Sequence, residues 1–336
     1  MKVIIPMAGR GSRLRPHTLT LPKPLILVGG KAIVHRLVED IASVCSDPIT
    51  EIGFVIGDFG KEVEEELIQV AANLGAKGKI YYQQVPLGTA HAVICAEELL
   101  EGPVVVAFAD TLFKADFKID VKVDGILWVK QIEDPSAFGV VKMNEAGDII
   151  DFVEKPQTFV SDLAMIGVYY FKSGEELKRE INYLIDKNII KGGEYQLPDA
   201  LRRLTEKGKK FKPGKVDEWL DCGNKEVTVF TNQRVLAYDQ EKQLDLIKTS
   251  AQIKNSTIIP PCFIGDNVKI NNSIIGPYVS LGKNSIVNKS IIENSIIQDQ
   301  STIQYALLKN SMVGHHTKVI GKESDLSIGD FSIIKI

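Results

Sequence analysis

Glycines followed closely by basic side chains are suited to phosphate chemistry, and one stretch of this chain has that character. It reads Gly9-Arg10-Gly11-Ser12-Arg13-Leu14-Arg15-Pro16-His17-Thr18-Leu19-Thr20-Leu21-Pro22-Lys23-Pro24. Without a Cβ, a glycine lets backbone N–H groups approach phosphate oxygens closely. Arg13 and Lys23 add positive charge, and Pro22 and Pro24 restrict the backbone that carries Lys23. The stretch is neither a Walker A loop nor GxGxxG, because Arg13 and Leu14 stand where later glycines belong. A second feature is acidic. Asp110 closes the apolar run Val104–Ala109, and a buried strand rarely ends on a carboxylate without a partner such as a metal or a cap.

Those residues need a scaffold, and the first two thirds of the chain supplies one by alternation. Strands are predicted at Val3–Met7, Glu51–Ile56, Lys79–Gln83 and Val104–Ala109. Helices are predicted between them at Ala32–Cys45, Lys61–Leu74 and Thr89–Leu100. Ile33, Leu37, Ile41 and Val44 recur at three- and four-residue spacing, the period of a half-buried helix. Such alternation predicts a mainly parallel sheet covered by helices. In sheets of that kind, ligands bind at the carboxyl ends of strands, where the glycine loop falls. Further strands are expected at Gly125–Lys130, Gly139–Met143, Ile149–Val153 and Ile166–Phe171, and helices at Gly174–Asp186 and Gln196–Lys207.

From about residue 252 the texture changes. Ile264, Ile270, Ile275, Leu281, Ile286, Ile291, Ile296, Ile303, Leu308, Val313 and Val319 follow one another mostly at five or six residues, and Asn-Ser-Ile recurs. Neither a helix nor a plain strand has that period; a hexapeptide β-helix does. The expected organisation is an α/β domain over residues 1–238, a linker over 239–251 and a left-handed β-helix over 252–336. The charged, helix-like stretch Asn232–Lys248 reads as the connection.

The whole string GxGxRLxPxTxxxPKP resembles the signature loop of the sugar-1-phosphate nucleotidyltransferases, or NDP-sugar pyrophosphorylases. Ala8 stands where many members have glycine. More of the pattern follows in order. Gln83-Gln84-Val85-Pro86-Leu87-Gly88-Thr89-Ala90 resembles the segment in which a Gln and a Gly bond a pyrimidine edge, here Gln83 and Gly88. Taken alone, Gln83 reads as a sheet-end amide bonding its neighbours. Phe108-Ala109-Asp110 and Trp219-Leu220-Asp221-Cys222-Gly223-Asn224 resemble the segments that supply two Mg²⁺ ligands, Asp110 and Asp221, although each Asp alone reads equally well as a turn cap. Two carboxylates plus substrate phosphates suit Mg²⁺. Phe138-Gly139-Val140-Val141 and Glu154-Lys155-Pro156 resemble the sugar half of the site, and Gly167 and Glu194 fall in further substrate-facing segments.

The resemblance covers residues 1 to about 230. It implies a Rossmann-like, mixed and mainly parallel sheet, followed by the repeat tail that several members carry. It also implies nucleotidyl transfer from an NTP, dTTP first and UTP next, to a sugar 1-phosphate, glucose 1-phosphate first. The nucleotide would contact Ala8, Gly9, Gly11, Ser12, Gln83, Gly88 and Thr89. The sugar phosphate would contact Gly139, Glu154, Lys155, Gly167 and Glu194. Arg13, Lys23 and Lys155 would serve catalysis. Hexapeptide coils also host acetyl-CoA-dependent acyltransferases that use a His, and His315-His316 lies inside the repeats. A non-catalytic nucleotide sensor or assembly scaffold is the third possibility. His17, His35 and His91 receive no role.

Composition narrows the class. Of 336 residues, 44% are hydrophobic and 25% charged, and Lys+Arg 40 against Asp+Glu 43 leaves a net charge of −3. That balance gives no general attraction to nucleic acid or an anionic membrane. The four cysteines lie far apart with no CxxC, which reads as reduced thiols rather than a disulfide framework. Met1-Lys2 runs into an apolar stretch too short for a signal peptide. A cytoplasmic homo-oligomer is expected.

Overall fold

A computed structural model describes residues 1–9, 11–154 and 156–322. Its chain divides into two compact units. The first comprises Met1–Ile26 and Lys31–Val227; the second comprises Leu27–Gly30 and the chain from Thr228 onward.

The first unit is built on a nine-stranded sheet in the order Lys77–Tyr82, Glu51–Ile56, Lys2–Pro6, Val104–Ala107, Leu163–Phe171, Gly125–Gln131, Phe211–Lys215, Ile149–Glu154, Gly139–Met143. The first four strands are parallel. Leu163–Phe171 then runs antiparallel to both of its neighbours. Every residue of Val104–Ala107 is buried, as a strand covered on both faces requires. Ile33, Leu37, Ile41 and Val44 are all buried in helix Ile33–Val44, so the periodicity marked the core face. Helix Gly174–Asp186 begins on Ser173, whose hydroxyl accepts from Glu176 N–H at 3.2 Å. That cap satisfies one of the donors a helix start leaves open.

Three features depart from the sequence reading. The helix expected over Thr89–Leu100 stops at Ile94 and resumes as a 3₁₀ turn at Glu97–Leu99. Ala96 leaves the helical region at φ −103° and ψ 36°, and Leu99 and Leu100 both become fully buried. Strand Phe211–Lys215 was not expected, because Pro213 and Gly214 disguise it. Thr111–Lys114 and Glu218–Asp221 form a separate antiparallel pair in which Thr111 faces Asp221.

The second unit is a coil of short parallel strands stacked in three ladders. Ile270 stands beneath Val287, and Val287 beneath Ile303, so successive coils take 17 and then 16 residues. Asn255, Asn267, Asn272, Asn284, Asn294 and Asn310 occupy corners with φ between 41° and 58°, a region Asn tolerates better than most residues. Their amides bond coil to coil, Asn255 Nδ2 to Asn272 Oδ1 at 2.8 Å and Asn267 Nδ2 to Asn284 Oδ1 at 3.2 Å. The serine that follows each corner is often buried, and its hydroxyl accepts a backbone N–H from the next coil. Ser290 N–H reaches Ser273 Oγ at 3.1 Å, and Ala306 N–H reaches Ser290 Oγ at 3.1 Å. The repeated Asn-Ser-Ile thus encodes a corner, a bridge and a strand.

Two inward positions are corrected. Ile286 and Ile291 are 37% and 46% exposed, whereas Val287 and Ile292 are fully buried. Each is the second of two adjacent branched residues, and spacing alone does not say which of the pair turns inward. The helix expected at Asn232–Lys248 in fact spans Lys225–Glu241. Asn232 is fully buried. Its Oδ1 accepts from Gly29 N–H at 2.9 Å and Ser280 Oγ at 2.7 Å, and its Nδ2 donates to Tyr278 O at 3.3 Å. From Thr228 onward this helix belongs to the second unit, and Asn232 is buried within it. Among the described residues no helix is long and apolar enough to cross a membrane.

Candidate active site

At the carboxyl ends of strands Lys2–Pro6 and Val104–Ala107 the first unit opens a cavity of about 370 Å³. The glycine loop forms one wall. Gly11, at φ 58°, leads into a 3₁₀ turn at Ser12–Leu14, and Thr18 Oγ1 donates to its carbonyl at 2.8 Å. A Cβ on Gly11 would lie 2.9 Å from Lys23 Cβ, so the missing side chain lets the loop close onto the lysine. Ala8, Gly9, Gly11, Ser12 and Arg13 all line this wall.

Lys23 sits in a second 3₁₀ turn, Lys23–Leu25, started by Pro22. It is only 7% exposed, yet its ammonium reaches the cavity and lies 3.1 Å from Asp110 Oδ2. Asp110 N-terminally abuts the strand Thr111–Lys114, and its carbonyl accepts from Cys222 N–H at 3.0 Å. With Thr111 opposite Asp221, the two carboxylates are brought side by side. Asp221 lies against Gly223, which lines the cavity: a Cβ there would sit 2.9 Å from Asp221 Oδ2. Burial, and then the charge of Asp110, push the Asp221 carboxyl above the usual carboxylate range. Ionising both acids therefore favours a nearby cation. Asp110 lines the cavity and Asp221 packs against its Gly223 edge, and two neighbouring carboxylates fit a magnesium ion that completes its shell with water and phosphate.

Gln83, Gly88, Thr89 and Glu194 also line the cavity. Gly88 has φ 110°, and a Cβ on it would strike Tyr195 O at 2.5 Å. Tyr195 N–H donates to Leu87 O at 2.8 Å and Ala90 N–H to Tyr195 O at 3.0 Å, tying the Glu194 segment to the Gly88 turn. Thr89 Oγ1 accepts from Leu197 N–H at 2.9 Å. Gln83 does bond its neighbours: Nε2 lies 3.1 Å from Gly88 O and 3.0 Å from His91 Nδ1. His91 thus touches a lining residue, a contact no sequence spacing announces.

Gly139, Glu154, Gly167 and Asp221 do not line the cavity surface itself. Glu154 pairs with Gly139 across the sheet. A Cβ on Gly139 would meet Glu154 Oε2 at 2.7 Å, so the glycine makes room for that carboxylate. Burial first, then Glu154 and Asp110, raise the Tyr169 phenol, which puts both acids within electrostatic range of one buried ring. Gly167, at φ 85°, accepts from Phe108 N–H at 2.9 Å through its carbonyl, and Phe108 lines the cavity. Lys155 lies outside the described residues.

Comparison with known proteins bears on the whole arrangement. A glucose-1-phosphate thymidylyltransferase of Streptomyces griseus is 26% identical over 362 aligned positions, covering 100% of this chain and 99% of its own. The bifunctional protein GlmU of Methanocaldococcus jannaschii is 30% identical over 261 positions, 77% of this chain and 60% of its own length. The crystal structure of a nucleoside-diphosphate-sugar pyrophosphorylase from Vibrio cholerae RC9 superposes with a TM-score of 0.59 at 21% identity, over 69% of this chain and 99% of that one. The family model described as nucleotidyl transferase matches residues 2–236. With the glycine loop, the paired carboxylates and the sheet order all falling inside that match, the chain belongs to the nucleotidyl transferase family.

Proposed function

We propose that this enzyme joins a pyrimidine nucleoside triphosphate, dTTP or UTP, to a sugar 1-phosphate, with glucose 1-phosphate first, and releases pyrophosphate. The observation that carries the reading is a single cavity lined by Gly9, Gly11, Ser12 and Arg13, Lys23 with Asp110, and Gln83 with Gly88. Cations, bare backbone and an amide suited to a base edge line the same cavity.

A phosphate oxygen of the sugar phosphate attacks the α-phosphorus. The new O–P bond forms as the bond to the β-phosphate oxygen breaks, and pyrophosphate departs with that electron pair. The nucleophile is already an anion, so no general base is needed. The task of the protein is to hold two polyanions in line and offset their charge. Arg13 grips the triphosphate, Lys23 faces the reacting phosphates from a buried, fixed position, and Lys155 serves the sugar phosphate. Gly139, Glu154, Gly167 and Glu194 bind the sugar. Asp110 and Asp221 are the residues that would hold Mg²⁺, which supplies charge neutralisation on the phosphates.

The same proposal takes the repeat coil as left-handed and as a site of homo-oligomer assembly, with residues 1–238 as the catalytic part. The cysteines of the described chain are free thiols, which supports a reducing compartment such as the cytoplasm. Acyl transfer by the coil keeps one observation in its favour: His315 Nε2 is buried without a hydrogen-bond partner. Thiol release from acetyl-CoA with amino-sugar phosphates tests that second reading.

Incubation with a panel of NTPs and sugar 1-phosphates, read by pyrophosphate release, tests the first. Turnover with dTTP or UTP is expected. A folded protein that releases no pyrophosphate from any pair would refute it.

A further inference from the structure

We propose that His91 is a positioning residue that locks the Gln83 amide with its oxygen toward the base, and so makes the pocket select uracil or thymine over cytosine. The inference deepens the reading above and rests on Gln83 being the base-facing group.

The argument starts from an acceptor of known identity. The Gly88 carbonyl can only accept, so Gln83 must direct its nitrogen end there, at 3.1 Å. The second hydrogen of that nitrogen meets His91 Nδ1 at 3.0 Å. For this contact Nδ1 must offer its lone pair, which leaves the ring proton on Nε2. Both amide hydrogens are then spent inside the protein. Oε1 is the end left for the cavity that Gln83 lines.

An amide held by one hydrogen bond can still swing; one held by two on a single nitrogen cannot turn over without breaking both. A fixed acceptor pairs with the N3–H of uracil or thymine. Cytosine presents a lone pair at N3, and the two acceptors repel. Burial lowers the His91 pKa, which keeps the imidazole neutral and able to accept. Cys95 Sγ, which caps the same helix, lies 4.0 Å from Nδ1, and a thiol is too weak a donor to displace the amide from the lone pair.

The test is nucleotide binding by calorimetry, with UTP, dTTP and CTP as probes, on the full-length protein and three variants. Wild type is expected to bind UTP and dTTP more tightly than CTP. Gln83→Ala should abolish that preference. His91→Phe should shrink the CTP-to-UTP Kd ratio about tenfold, the scale of one lost hydrogen bond. His91→Asn, whose carbonyl oxygen restores an acceptor close to the Nδ1 position, should keep the ratio within about threefold. His91→Leu replaces the Phe variant if the latter fails to fold. A general loosening of the fold would weaken all three nucleotides together and leave the ratio unchanged, and that result in His91→Phe overturns the proposal. So does an Asn variant as unselective as Phe. A wild type without preference, or a Gln83→Ala that retains it, overturns the base reading itself and this inference with it.

Discussion

Lys23 Nζ lies 3.1 Å from Asp110 Oδ2, with the lysine side chain 8% exposed and the aspartate 43% exposed. The asymmetry matters. The ammonium is held by the packed turn beneath it, so its position is set before any ligand arrives. The half-exposed carboxylate is free to take a second cation on its open side. Lys23→Met keeps most of the side-chain volume and removes the charge. It should lower turnover at least ~100-fold, on the scale of losing one preorganised charge contact. Lys23→Arg should not restore activity, since the buried slot fits a stem and a point charge rather than a planar fork. Pyrophosphate release on purified, folded variants measures both.

Arg13 is the exposed counterpart on the glycine wall. Arg13→Ala is expected to cost at least ~100-fold in turnover, and so is Asp110→Asn. Arg13→Ala should act mainly through the triphosphate, so its KM for the nucleotide should rise while that for the sugar phosphate stays close to wild type. Near-normal activity in both variants would reject the roles assigned to them.

Asp221 gives a test with the opposite sign on stability. Burial and the neighbouring Asp110 raise its pKa, so the folded state holds this proton more tightly than the unfolded chain does. The stability it contributes is present below the ordinary aspartate pKa and is lost as pH rises through the raised folded value. At pH 7 without metal it is a destabilising group. Asp221→Asn should therefore raise the Tm of the metal-free protein at pH 7, with less gain at pH 4, while abolishing magnesium-dependent turnover. A Tm at pH 7 that falls instead would show that burial and the charge of Asp110 do not destabilise this carboxylate.

What the sequence could and could not announce follows from distance along the chain. The Gly9–Pro24 loop is legible because its parts are contiguous: glycines, Arg13 and the Pro-flanked Lys23 arrive within sixteen consecutive residues. Asp110 and Asp221 each look like a cap in isolation. Their meeting depends on the pairing of Thr111 with Asp221, and the strands that carry it were not expected. Gln83 and His91 meet because Thr89–Ile94 turns back over the sheet end, a geometry with no signature in residue type. The core face of Ile33–Val44 was readable because a helical period has one solution there. Adjacent branched residues in the coil have two.

Gly88 tests whether the base wall tolerates a side chain. At φ 110°, with Tyr195 O 2.5 Å from a would-be Cβ, Gly88→Ala must either strain the turn or push the Tyr195 segment away. A cost of about 1–3 kcal/mol is expected from the backbone strain. The nucleotide KM should rise more than kcat falls, because Gln83 Nε2 loses its fixed acceptor. Denaturant titration and steady-state kinetics separate the two effects.

The register of the coil is open to a matched pair of substitutions. Ile291 and Ile292 are neighbours of one chemical type, the first 46% exposed and the second fully buried among Ile275, Val287 and Ile297. Ile292 pairs with Ile275 below and Leu308 above, so Ile292→Ala opens a cavity that the rigid ladder cannot collapse around. The cost should be about 2–5 kcal/mol. Ile291→Ala removes an outward side chain and should cost under about 1 kcal/mol through strand preference alone. Guanidinium unfolding of the full-length variants gives the two values. Equal costs, or the reverse order, would mean that the inward residue is Ile291 after all and that the strand is slipped by one.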